Sequence, residues 1–187
     1  MLKIGIQGTR GSFSEVAAHT FAEKHAITPY EPVFLLSSEN VLAAVEAKTV
    51  DYGIVAIENS QGGVVIETIF ALAKHRCHIV DMFQIPISQT LLAHPAVKRT
   101  QLTAIHSHEQ ALRQCREFLR KAFPDLPLVE EIDTAEAGRR LMAGELPQTA
   151  GIIGNALCAE IYGLQILQRN IQDLETNLTL FLGIKPL

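Results

Sequence analysis

Cysteine is scarce in this sequence: Cys77, Cys115 and Cys158 are odd in number and show no Cys-x-x-Cys spacing. That argues against a disulfide framework and against a structural zinc site. Long hydrophobic runs are missing too. Apolar stretches are cut by glycine, proline or charge, so no segment reads as a membrane-spanning helix. The start, MLKIGIQGTRG, carries a strand-like segment instead of the apolar core of a signal peptide. Nor is there an excess of basic charge, since 16 Lys and Arg stand against 20 Asp and Glu, a net charge of −4 without long single-sign blocks. Such a chain offers no field to nucleic acid or to an anionic membrane. What remains is the expectation of a cytoplasmic globular protein. With 187 residues, 48% of them hydrophobic, it has the means to bury a core as one large domain or two small lobes.

Short β-rich runs alternate with longer helical patterns, which predicts an α/β class. Lys3–Gln7 reads as a buried strand, followed by the loop GTRG and a helix from about Ser14 to Glu23. Val41–Ala47 reads as helix and Tyr52–Ile57 as buried strand. The order then recurs, with strand at Thr103–His106, helix at Gln110–Phe123, helix at Ala135–Ala143 and strand at Gly151–Ile153. AAVEAKTVDYGIVAIEN and AGRRLMAGELPQTAGIIGN both run from helix through a polar turn into a β-run ending on Asn, at Asn59 and Asn155. Two similar α/β lobes are expected, with a ligand cleft between the carboxyl ends of their strands. The last strand is expected at Thr179–Ile184.

Several familiar chemistries find no support. Gly8-Thr9-Arg10-Gly11 follows a strand but matches neither G-x-G-x-x-G nor G-x-x-x-x-G-K-[ST], and no G-x-S-x-G elbow occurs. His75 and His78 lack a carboxylate at metal-binding spacing, so no metal site is expected. Ser12-Phe13-Ser14-Glu15 and Ser107-His108-Glu109-Gln110 both match the Ser-x-x-Glu/Gln capping box. As caps alone they start helices, and as ligand sites their free N–H groups favour carboxylates. Glu58, Asn59 and Ser60 are expected just past a buried strand, where a carboxylate is costly unless paired or solvated. Thr179, among Leu178, Leu180, Phe181 and Leu182, reads by spacing as an ordinary β-former.

Seven blocks in order are more specific than any one of these signals: IQGTRGSFSEVAA, VDYGIVAIENSQGGVV, FQIPISQTLL, SHEQALRQC, DTAEAGRRL, AEIYGLQIL and NIQDLETNLTLFLGI. With them the chain resembles, nearly end to end, the catalytic domain of prephenate dehydratase. The resemblance implies a fold of two α/β lobes of the type II periplasmic-binding-protein kind, with lobe 1 at about 1–83 plus 172–187 and lobe 2 at about 84–171. It implies prephenate in the interlobe cleft, a homodimer, no cofactor, and phenylpyruvate formed by loss of carbon dioxide and the ring hydroxyl. The family's threonine, taken to assist hydroxyl departure, corresponds to Thr179. Its substrate-facing positions fall on Ser12, Ser14, Glu58, Asn59, Ser60, Ser107, Gln114 and Phe181.

Three departures from the family pattern stand out. Thr-Arg-Phe reads Thr179-Leu180-Phe181, the histidine of Pro-Ile-x-His is Gln89, and the proline after Ser107-His108 is Glu109. If the lost arginine acted on substrate, affinity should fall by about a few kcal/mol unless Arg10 or Arg113 substitutes. Many members carry an ACT regulatory domain after the catalytic one, whereas this sequence stops at Lys185-Pro186-Leu187, so the expectation is that feedback control is absent, resides elsewhere, or belonged to a domain from which this one was excised. A decarboxylase that keeps the ring hydroxyl, and a two-lobed binding module without turnover, are the competing readings. An α-keto substrate and its α-amino counterpart, arogenate, are not separated by the sequence.

Overall fold

A computed structural model describes residues 1–187 as two compact units, Met1–Ile87 with Asn177–Leu187, and Ser88–Thr176. Both crossings fall later in the chain than the expected 83/84 and 171/172. The first sheet holds its outer strand unbroken to Pro86. Residues 171–173 are bonded to the second unit: the Ile171 amide donates to the Gln89 carbonyl and that of Asp173 to the Gln114 carbonyl.

The first unit contains β1 (Leu2–Ile6), α1 (Phe13–Lys24), β2 (Tyr30–Phe34), α2 (Ser38–Glu46), β3 (Tyr52–Asn59), β4 (Gly63–Val64), α3 (Ile66–Lys74) and β5 (His78–Pro86). In the second are β6 (Thr90–Ala93), β7 (Ala104–Ser107), α4 (Glu109–Gln114), α5 (Arg116–Ala122), β8 (Leu128–Glu130), α6 (Thr134–Met142), β9 (Ala150–Gly154), α7 (Ala156–Tyr162) and β10 (Gln165–Gln168). The chain then returns as β11 (Leu178–Lys185) to the first sheet, whose order is β2-β1-β3-β11-β5 with β4 on β3. The second sheet runs β10-β6-β9-β7-β8. The expected helix at 110–123 is two helices, because Cys115 leaves helical geometry at φ −112 and ψ 18.

Strand β11 lies antiparallel between β3 and β5, and its two faces meet different helices. Side chains alternate along a strand, so Thr179, Phe181 and Gly183 share one face. There Phe181 stacks on Phe83 at 6.2 Å, and Phe21 of α1 packs in the same core. Leu182, on the other face, packs with Val41, Leu42 and Val45 of α2 and Ala71 of α3. Gly183 lets the strand pass against Phe21: a Cβ there would lie 2.3 Å from the Phe21 ring. Gly183→Ala should destabilise the fold by about 1–3 kcal/mol, read from urea unfolding, because Phe21 is fully buried and has nowhere to move.

Candidate functional site

Hydrogen bonding fixes which atoms of Asn59 face which neighbours. The backbone N–H groups of Gln61 and Gly62 donate to its Oδ1 at 3.0 and 2.8 Å. A backbone amide can only donate, so the other end of the Asn59 side chain is the NH₂ group. That Nδ2 donates to Thr179 Oγ1 at 2.8 Å, Asn177 Oδ1 at 2.8 Å and the Leu178 carbonyl at 3.2 Å. Thr179 Oγ1 is therefore an acceptor in this contact, and its own O–H is left to donate elsewhere. Only 7% of Thr179 is exposed, so a strong donor is held in a mostly dry setting. Two further polar side chains complete the cluster. Ser60 Oγ accepts from the Leu178 amide at 3.0 Å and donates to Asn177 Oδ1 at 3.5 Å. Gln61 Nε2 and Asn177 Nδ2 are buried without a partner.

Glu58 and Asn59 are the last residues of β3, not residues beyond it, and the longer strand sets them on opposite faces. Glu58 is exposed and pairs in register with Leu180, which lies opposite Gln84 on its other side. Leu180 thus points away from the face that carries Thr179. An arginine at position 180 would lie across from Glu58 and on the face away from Thr179. Leu180→Arg should raise stability by up to about 1 kcal/mol and change turnover less than about threefold, checked by thermal melting and a rate assay. A large gain in substrate affinity would place the arginine on the ligand instead.

Ser12 caps α1, its Oγ accepting from the Glu15 amide at 3.3 Å, while the Glu15 carboxylate accepts from the Gly11 amide at 2.6 Å. Ser14 lies in the first turn of that helix and is half-buried. The second expected capping box does not form. Ser107 is the last residue of β7 and fully buried, and its hydroxyl donates to the Ile153 carbonyl at 2.7 Å across the sheet. His108 caps α4 in its place, accepting from the Gln110 amide at 3.2 Å. His106, by contrast, points to Glu131 at 2.9 Å, and Arg140 holds the other oxygen of that carboxylate.

Within the second unit, Gln114 meets the residue that replaces the family's histidine. Gln89 Nε2 donates to Gln114 Oε1 at 3.0 Å, both residues are buried, and Gln89 Oε1 has no partner. Phe181 is 2% exposed and supports Thr179's strand from the core. The structure therefore gathers Thr179, Asn59 and Ser60 in one cluster and Gln114 in another, and it adds Asn177, which residue patterns did not single out.

The family model for prephenate dehydratase matches residues 4–186. Among curated proteins the chain is 36% identical over 180 residues to arogenate dehydratase 1 of Petunia hybrida, covering 96% of this chain and 41% of that protein. To the prephenate dehydratase of Lactococcus lactis it is 34% identical over 183 residues, covering 96% of this chain and 62% of the relative. The chain thus spans less than half the length of its plant relative. Of the solved structures, the prephenate dehydratase of Arthrobacter aurescens in complex with L-Phe superposes with a TM-score of 0.89 at 26% identity, covering 98% of this chain and 60% of that one. An ABC transporter from Parabacteroides distasonis matches at a TM-score of 0.51 and 14% identity, over 97% of this chain and 65% of its own, a likeness of fold alone. The expected α/β class stands.

Proposed function

This chain belongs to the prephenate dehydratase family, and from that premise we propose that it expels carbon dioxide and the ring hydroxyl from prephenate to give phenylpyruvate. The observation that carries the proposal is the 2.8 Å contact in which Asn59 donates to Thr179 Oγ1 and frees the threonine proton. Chemically, the bond from the ring to its carboxylate breaks and that electron pair completes the aromatic ring. The ring C–O bond breaks with its pair on oxygen, carbon dioxide departs, and one proton from solution converts the leaving hydroxide to water. Thr179 is far too weak an acid to be ionised at neutral pH, but it donates a hydrogen bond and relays that proton. Such assistance is worth about 10²–10⁴-fold in rate.

The remaining residues have graded parts in this proposal. Asn59 orients Thr179, and Ser60 ties the start of β11 to the end of β3. Ser12 and Ser14 in the first unit, and separately Gln114 in the second, are neutral polar groups able to bind a carboxylate. Ser107 and Phe181 act through the frame, since the hydroxyl of the first bonds Ile153 and the ring of the second lies in the core. Glu58 faces Leu180 and stays off the substrate. The proposal includes a homodimer and a cytoplasmic location, both testable by sedimentation and fractionation. No helix is long and apolar enough to cross a membrane.

Incubation with prephenate, with arogenate in parallel, tests the reading through the product. An aromatic product lacking the ring hydroxyl is expected. A non-aromatic product that keeps the hydroxyl would assign the chain to decarboxylation, and saturable binding without turnover would make it a binding module.

A further inference from the structure

We propose that Asn177 is a second catalytic residue, whose Nδ2 joins the Thr179 hydroxyl in donating to the oxygen of the departing hydroxyl group. The assignment rests on the dehydratase reading and names a residue that reading did not contain. Its basis is the same chain of hydrogen bonds. Asn59 Oδ1 is fixed by two backbone donors, so Asn59 Nδ2 faces Asn177, and the atom that meets it must be Asn177 Oδ1. Turning the Asn177 amide over would set two NH₂ groups against each other. Its Nδ2 is consequently a donor with no acceptor in the protein, on a side chain only 2% exposed.

An orphaned buried donor is costly, and the cost is regained when an acceptor arrives. Thr179 Oγ1 and Asn177 Oδ1 both lie 2.8 Å from the same Asn59 nitrogen, so the two side chains that carry the free donors meet at one group. Their joint complement is an oxygen atom that gains negative charge. As the ring C–O bond breaks, its electron pair localises on such an oxygen, and two fixed donors stabilise it more than they stabilise the neutral hydroxyl of the substrate. The arrangement also answers how a net-negative chain without the motif arginine handles an anion, namely with neutral amide and hydroxyl donors.

Asn177→Asp isolates the donor, because it keeps an oxygen for Asn59 and replaces only the NH₂ group. At about pH 9 its turnover number should fall about 10²–10³-fold, with a smaller change in KM. A carboxyl buried here is held protonated to higher pH than usual, so it regains an O–H donor as the pH is lowered. Relative to wild type, turnover should therefore recover from about pH 9 toward about pH 6. Asn177→Ser, uncharged and still able to accept from Asn59, should lose a similar factor with the wild-type pH profile. Melting temperatures of both variants establish that they are folded. Turnover within about fivefold of wild type in either variant, or a loss in Asn177→Asp that is the same at every pH, would make Asn177 a prop for Asn59 and overturn the assignment. A wild type inert toward prephenate and arogenate would instead overturn the dehydratase reading on which it stands.

Discussion

Thr179→Val should lower the turnover number by about 10²–10⁴-fold while leaving a folded protein. Valine fills the same volume and suits a strand, so the apolar surroundings of β11 are kept. The hydroxyl it removes accepts one of three contacts from Asn59 Nδ2, and the Asn177 and Leu178 oxygens continue to hold that group. The stability cost should stay within about 1 kcal/mol, since no buried polar atom is orphaned. A purely structural threonine gives the reverse pattern, with a lowered melting temperature and a rate close to wild type. Steady-state kinetics and thermal melting on the same preparation separate the two.

Asn59→Asp should be nearly as damaging to the rate and worse for stability. The change keeps the oxygen that receives the Gln61 and Gly62 amides but puts a second oxygen where the NH₂ group stood. That oxygen draws the Thr179 proton toward itself, away from the leaving hydroxyl. It also faces the Leu178 carbonyl, an acceptor that previously received a hydrogen, and draws the Asn177 NH₂ group toward itself by turning that amide over. Turnover should fall about 10²–10³-fold, on the scale of losing one well-placed donor. Stability should fall by about 1–3 kcal/mol through the oxygen set against that carbonyl, seen as a lower urea midpoint.

Much of the scaffold was legible because its signals are local. The buried strand at Tyr52–Ile57 continues to Asn59, the helix near Val41–Ala47 is α2, and the run after Leu178 is a strand. Alternation along that strand already implied that Thr179 and Leu180 face opposite ways. Without knowledge of what covers each face, however, it did not say which mattered. The Ser-x-x-Gln pattern suggests a cap at Ser107 because it is indifferent to where the strand ends. A carbonyl on a neighbouring strand, Ile153, claims that hydroxyl and leaves capping to His108. The break at Cys115 had no proline or glycine to announce it.

The site itself was legible only through the resemblance. Thr179 looks like any β-branched residue in an apolar run, and Asn177 like a polar residue before a strand. What distinguishes them is a partner more than a hundred positions earlier, Asn59, whose own orientation is set by the backbone of the turn that follows it. The two lobes' terminal asparagines show the same limit. Asn155 caps α7 by accepting from the Cys158 amide, whereas Asn59 orients a hydroxyl.

A double-mutant cycle of Asn59→Asp and Thr179→Val, scored by the turnover number for prephenate, tests most directly whether Asn59 works by directing the Thr179 proton. If it does, the aspartate has no threonine proton left to misdirect once the hydroxyl is gone, and only its effect on the Asn177 amide remains. The Asn59→Asp loss should then be clearly smaller in the Thr179→Val background than in wild type. Two losses that simply multiply would contradict this and make Asn59 and Thr179 independent contributors.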